Sequence, residues 1–225
     1  MSGGAAKTNA FALESDPPSL SLRWTQRGRA VAGYEALGAV VERLRFAWGA
    51  GGELICGGAG VAQAATAIAP PGGAFGGARA LPGWAGLVTI GGAASAELVG
   101  GWIELVRRRQ PFGTLDDEGG PTRMTNGARA VRFALLLDLH STVEYDRWQA
   151  AGTAALEIVW TDAATDLGGG IHPSLTLNLG RTAAMVAVIE DGGPLPLLRL
   201  AGVALADPPA GPMSATLVSS IDYAA

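Results

Sequence analysis

Hydrophobic and polar positions alternate with a period of two in several short stretches of the chain, the pattern of strands buried on one face. Ser19 to Trp24 (SLSLRW) is the first such stretch. Val41 to Trp48 is the clearest: Val41, Arg43, Arg45 and Ala47 fall on one face, and Glu42, Leu44, Phe46 and Trp48 on the other. Leu54 to Cys56 can pair back onto it across the turn Gly49 to Gly52. Residues 19–65 are therefore expected to form a small antiparallel β meander. A flexible arm, residues 1–18, precedes it and ends at Pro17 and Pro18. Residues 66–84 are dense in glycine and proline, read as a linker, and place a domain boundary there.

Residues 85–225 carry the longer series of elements. Strands are expected at Ala85 to Ile90 and Gly101 to Val106, after which the pattern dissolves from Arg107 to Ala128. A loop of that length is either functional or disordered. Alternation returns from Arg129 to His140. Val143 to Ala151 (VEYDRWQAA) reads as the one helix: Ser141 or Thr142 caps it, Glu144 stands at the capping-box spacing from Ser141, and Gly152 ends it. Further strands follow at Ala155 to Trp160, Ser174 to Leu179, Ala183 to Ile189, Leu197 to Leu205 and Ser214 to Tyr223, with turns at Asp191-Gly192-Gly193 and Asp207-Pro208-Pro209. The expected fold is mainly β: an antiparallel sandwich or barrel with one edge helix, preceded by the small meander. Pro18 to Leu22 (PSLSL) echoes Pro173 to Leu177 (PSLTL), as a second module built on the plan of the first would.

Composition adds that this chain has little charge to spend on a solvated surface. Charged residues make up 16% and hydrophobic ones 48%, against roughly 25% charged in an average soluble protein. A subunit that buries surface against neighbours fits this, and so does a coding bias that leaves Lys7 the only lysine. The net charge of −4 argues against a face that grips nucleic acid. The charge is uneven: residues 1–80 carry seven bases and five acids, residues 81–225 nine bases and fifteen acids. No basic start followed by an apolar block marks a signal peptide, and the longest uncharged apolar stretch, Ala80 to Ala96, contains Pro82 and is too short to span a bilayer. Membrane insertion is not expected.

Candidate chemistry is sparse. No phosphate-binding G-x-x-x-x-G-K-[ST] occurs, and the glycines from Gly49 to Gly60 sit among alternating strands where a dinucleotide motif needs a helix. His140 and His172 lie far apart without metal-ligand spacing, so packing or surface roles are favoured for both. Cys56 is alone and is expected to lie buried in a strand as an inert thiol. Asp116-Asp117-Glu118 lacks the alternating spacing of a calcium loop, and Arg107-Arg108-Arg109 suits ion pairs between chains. The expectation is a non-enzymatic protein with no cofactor and no metal.

The order of elements resembles the tail tube proteins of long-tailed, non-contractile bacteriophages. Two strands, the long loop Arg107 to Ala128, the strand Arg129 to Leu139, the helix Val143 to Ala151 and further strands follow that family's sequence of elements. Pro196 to Val203 (PLLRLAGV), then Asp207-Pro208-Pro209 and Met213 to Tyr223, is similar to its closing hairpin. Residues 33–48 (GYEALGAVVERLRFAW) resemble the end of the first domain in two-domain members, although residues 19–63 are short for a complete tube domain.

The resemblance implies a structural subunit of the virion tail, assembled in the host cytoplasm into stacked hexameric or pseudo-hexameric trimeric rings. It implies a channel with an acidic lumen through which double-stranded DNA passes without sticking. The implied partners are further copies of the chain, a tape measure protein in the lumen, and tail terminator and distal tail proteins. By position the long loop would contact the next ring or subunit, through Arg107, Arg109, Phe112, Asp116, Asp117 and Glu118. A distal tail or adaptor component, or a carbohydrate- or protein-binding β-sandwich module, are the alternatives.

Overall fold

The alternating run from Val41 to Trp48 forms the second half of an 18-residue strand, Ala32–Gly49, whose two faces divide as the sequence does. Phe46 and Trp48 are buried, whereas Val41, Arg43 and Arg45 are exposed. This is a computed structural model that describes residues 6–12, 20–26, 32–49, 51–62, 64–69, 80–94, 98–112, 123–139, 142–191, 196–206 and 211–220.

Thirteen strands and one α-helix form among these residues. In chain order they are β1 (Lys7–Ala12), β2 (Leu20–Gln26), β3 (Ala32–Gly49), β4 (Ile55–Val61), β5 (Ala64–Ile68), β6 (Gly86–Ile90), β7 (Ala93–Ala94), β8 (Leu98–Phe112) and β9 (Arg123–Asp138). Helix α1 (Val143–Gln149) follows, then β10 (Thr153–Thr161), β11 (Ser174–Asp191), β12 (Pro196–Ala204) and β13 (Ser214–Ser219). The fold is mainly β and antiparallel with one helix, as the periodicity predicts.

Hydrogen bonding joins the strands into one sheet in the order β2-β3-β8-β9-β12-β11-β10-β6-β7. β4 and β5 pair with β3, and β13 pairs with both β11 and β1. The β3–β8 ladder, from Arg43↔Val106 to Gly49↔Gly100, carries the sheet from the region before residues 66–84 directly into the region after them. Such a sheet cannot stay flat, because strand twist accumulates along it. It curls until its ends face each other across a core of Phe46 and Trp48 from β3, Phe133, Leu135 and Leu137 from β9, Leu156, Ile158 and Trp160 from β10, and Leu177 and Leu179 from β11.

Several elements differ from the sequence pattern, each for a tertiary reason. Lys7–Ala12 lacks alternation, yet forms β1 because β13, from the other end of the chain, offers it a partner. The two strands expected at Ser174 to Leu179 and Ala183 to Ile189 are one, β11. Gly180 and Arg181 interrupt the hydrophobic pattern but not the backbone, which β10 holds on one edge and β13 and then β12 on the other. The expected loop Arg107 to Ala128 is mostly hairpin: β8 continues to Phe112 and β9 starts at Arg123, with pairs such as Arg109↔Asn126 and Phe112↔Arg123. Residues 113–122 of that loop, and the turns at Gly192-Gly193 and Asp207-Pro208-Pro209, lie outside the described residues.

Helix α1 packs beside β11. Tyr145 and Trp148, with rings 5.5 Å apart, pack against the core, while Val143 is exposed. The helix stops at Gln149, earlier than expected, and the left-handed residue that ends it is Ala151 (φ 51°), not Gly152. Ala151 N–H donates to Trp148 O and Gly152 N–H to Arg147 O, both at 2.9 Å, the paired bonds of a Schellman cap.

Candidate assembly surface

Among the described residues no group of three or more His, Cys, Asp and Glu side chains is placed to hold a metal ion. No helix there is long and apolar enough to cross a membrane. His172 fastens a loop, its Nδ1 lying 2.6 Å from Thr165 O. Asp162 ties down the same loop by accepting from Ala164 N–H (3.1 Å) and Thr165 O–H (2.6 Å). His140 lies outside the described residues. A groove of about 370 Å³ between β1, β3, β11 and β13 is lined by Phe11, Leu44, Phe46, Leu175 and Leu217 among others, with no ionisable group. It offers nothing to general acid–base chemistry.

Cys56 is exposed, contrary to expectation. It lies in β4, on the core-facing side opposite Phe46, but β4 is an outermost strand and the second layer does not reach over it. What cover it has raises the thiol pKa above its ordinary value through loss of solvation.

The residues expected to touch a neighbouring ring are divided by the structure. Arg107 is 8% exposed, opposite Arg129 in the β8–β9 ladder. Arg109 and Phe112 lie near the far end of β8, where the hairpin runs out toward its tip. Asp116, Asp117 and Glu118 lie outside the described residues.

The sequence pattern does not single out the open face of the sheet, the one turned away from the core. Register aligns Arg45, Glu104 and Arg132 directly opposite one another on β3, β8 and β9, so charge alternates across three strands. The Arg45 guanidinium also stands 4.8 Å from the Trp102 ring centroid, a cation–π contact. Further along, Arg199 donates to Glu190 at 3.2 Å. Paired positions on adjacent strands share a face, and only pairing reveals which strands are adjacent.

Two edges of the sheet are bare among the described residues. β4 and β5 pair only with β3, β4 with one register shift between Val41 and Arg43, and leave their outer edge open among the described residues. On β11, pairing with β10 ends at Ala183, so residues 184–191 have β12 on one side and no strand on the other. Large apolar side chains are exposed on these edges: Ile55 (64%) on β4, and Met185 (68%), Val186, Val188 and Ile189 on β11. A sequence signal for them existed. Ile55 to Ile68 holds neither charge nor proline over fourteen residues, and Ala183 to Ile189 is seven apolar residues in a row.

Exposed strand edges that lack protecting charges are templates for pairing with another chain, and a self-assembling subunit has a use for them. No curated protein matches the chain. The sequence profile of the phage tail tube proteins, however, matches residues 3–216. The chain, a mainly β protein with a structural role in the tail tube, belongs to the phage tail tube protein family.

Proposed function

We propose that the chain is the repeating subunit of a non-contractile tail tube, self-assembling into stacked rings around a channel through which DNA passes at ejection. The family match over residues 3–216 carries this reading. The two bare edges support it, because a ring of copies is a means of covering them. The action is mechanical, with no catalytic step.

Ring closure through this sheet puts each subunit's core outside and the open face of β3, β8 and β9 toward the channel. The channel wall then carries the alternating Arg45, Glu104 and Arg132 in place of the uniformly acidic lining that the family resemblance suggests. These three sum to one positive charge per subunit, too sparse to grip phosphates as a clustered basic face would. Residues 19–65 serve as the module that widens the sheet at its β4 and β5 edge. The end of β8 and the segment of chain between β8 and β9, with Arg109, Phe112, Asp116, Asp117 and Glu118, contact the adjacent ring. A tape measure protein occupies the channel during assembly in the host cytoplasm, and tail terminator and distal tail proteins close the two ends.

Negative-stain microscopy and sedimentation of the purified chain test the reading. Rings or tubes of uniform width are expected. A monodisperse monomer at every concentration, with or without tape measure protein, overturns it in favour of a monomeric binding module.

A further inference from the structure

The pairing registers align one position on each of six neighbouring strands: Ile55 on β4, Ala47 on β3, Trp102 on β8, Ala134 on β9, Ala201 on β12 and Val186 on β11. All six are apolar. Phe46 and Trp48 to either side of Ala47, and Phe133 and Leu135 to either side of Ala134, belong to the core, so the row itself lies on the open face. Ile55 and Val186 at its ends are 64% and 45% exposed, and the four between them are partly exposed. With strands about 4.8 Å apart, the row runs about 24 Å across one copy.

The rows on either side differ from each other. Two residues along the strands in one direction stand Arg45, Glu104 and Arg132, and the Arg45 guanidinium over the Trp102 ring ties that charged row to the apolar one. Arg43, one row beyond, adds a charge of the same sign. In the other direction Leu136 and Val188 extend the apolar band, aligned through Arg199, whose charge Glu190 answers.

Contiguous apolar surface of this kind marks an interaction site. The core does not use it, because the core lies on the opposite face. Contacts between copies at the sheet edges do not cover it either, since Trp102, Leu136, Ala134 and Ala201 lie on interior strands. With this face toward the channel, what covers the band is an occupant of the channel. Double-stranded DNA presents phosphates, which gain nothing from apolar side chains and could use only the sparse arginines. A polypeptide can use both rows. They are about 6.7 Å apart along the strands, near the about 6 Å between residues i and i+4 of an α-helix. A helix with leucines on one stripe and acidic residues one turn away therefore meets the apolar band and the net positive row together.

We infer that this band is the docking surface for a polypeptide in the channel, an α-helix with an apolar stripe flanked by acidic residues, and that Trp102 is its central anchor. The inference rests on the tube reading and names the chemistry by which the channel holds a protein occupant.

Model peptides test it. The first is an alanine-based helix with leucines along one stripe and glutamates beside it, the second has the same composition in scrambled order, and the third carries lysines in place of the glutamates. Each is labelled, added to the full chain during assembly and measured by co-sedimentation with the tubes. Native tubes are expected to retain the first peptide, the lysine peptide severalfold less, and the scrambled one not at all. Trp102→Gln should weaken retention of the first peptide at least about tenfold, as loss of a central aromatic anchor does. Ala134→Gln, which leaves Trp102 in place, should do the same, and neither variant should change retention of short double-stranded DNA. Equal retention of the striped and scrambled peptides by native tubes, or equal retention of the striped peptide by native tubes and those of both variants, overturns the inference and leaves the tube reading intact. Variants that alter DNA retention and not peptide retention assign the band to DNA and overturn it too. A native chain that stays monomeric overturns the tube reading, and the inference with it.

Discussion

Trp48 of β3 and Trp160 of β10 meet edge to face, with ring centroids 5.0 Å apart and planes inclined at 66°. Their strands are separated by β8, β9, β12 and β11 in the sheet, so this contact is where the curled sheet meets itself. Both rings are buried, and neither indole Nε1 finds an acceptor among the described residues. Their contribution is therefore apolar burial and ring geometry. Trp160→Ala is expected to cost about 3–5 kcal/mol in denaturant unfolding, as large-to-small changes at buried aromatics do. A double-mutant cycle with Trp48→Ala should return a coupling of about 0.5–1.5 kcal/mol. Gly86→Ala reports on the same contact from the other side. A Cβ there would stand 2.6 Å from Trp160 Nε1, and the overpacking should cost about 1–3 kcal/mol.

What the sequence reveals here is local. The face division of Val41 to Trp48 follows from alternation alone, because each residue's side is fixed by the pleat. The helix is legible because Tyr145 and Trp148 recur at helical spacing. Partners distant in the chain are not legible. Nothing in KTNAFA announces a strand until β13 lies beside it, and nothing in the run through Gly180-Arg181 shows that one backbone serves three neighbours. Cys56 fails for a related reason: its own strand pattern places it on the core side, but whether a second layer reaches that far is a property of the whole sheet. The arginines of the assembly surface divide similarly. Arg107 and Arg109 are two residues apart, and the register shift between them in the β8–β9 ladder is invisible in the sequence.

Ala151 holds a left-handed conformation (φ 51°) to complete the helix cap. That conformation costs an L-residue roughly 1–2 kcal/mol, and glycine gives back part of the gain through its freer unfolded state. Ala151→Gly should raise the unfolding free energy by about 0.5–1 kcal/mol by denaturant titration. Any loss of stability would mean that the cap tolerates alanine without strain.

The charged segment between β8 and β9 is expected to act between rings and not within them. Neutralising Asp116, Asp117 and Glu118 together (to Asn, Asn and Gln), or Arg109→Glu alone, should leave single rings intact and shorten or abolish tubes in micrographs. Arg107 is unsuitable for this test, since its buried position makes any substitution a folding problem as well. Tubes of native length from both variants would remove this segment from the stacking contact.

Glu104 stands between Arg45 and Arg132 on the open face of the sheet. Glu104→Gln leaves both arginines facing the channel without the intervening acid. Tubes of this variant should retain short double-stranded DNA severalfold more than native tubes at low salt, and release it as salt rises, because phosphate contacts displace counterions. Arg132→Gln should reduce retention instead. Equal retention in all three would show that this face does not line the channel.

Cys56 reports on assembly through its reactivity. Partial burial lifts its pKa above the ordinary thiol value, so at neutral pH the thiolate that reacts with alkylating agents is scarcer than in a free cysteine. For a pKa raised on folding, the stabilising contribution is present below the unfolded pKa and is lost as pH rises through the folded one. Alkylation of the isolated subunit should therefore accelerate steadily through the alkaline range, while the fold loses slight support there. Once β4 is covered by a neighbouring strand, the thiol is expected to be protected across the whole range. Val188→Lys places an edge-blunting charge on the other bare edge of the sheet, β11, at a position 45% exposed in the single chain. It should change subunit stability by no more than about 0.5 kcal/mol, while abolishing both tubes and the protection of Cys56. Protection that persists in Val188→Lys would assign the cover over Cys56 to the subunit itself, and labelling that is equally fast in native tubes and free subunits would place β4 outside the ring contact.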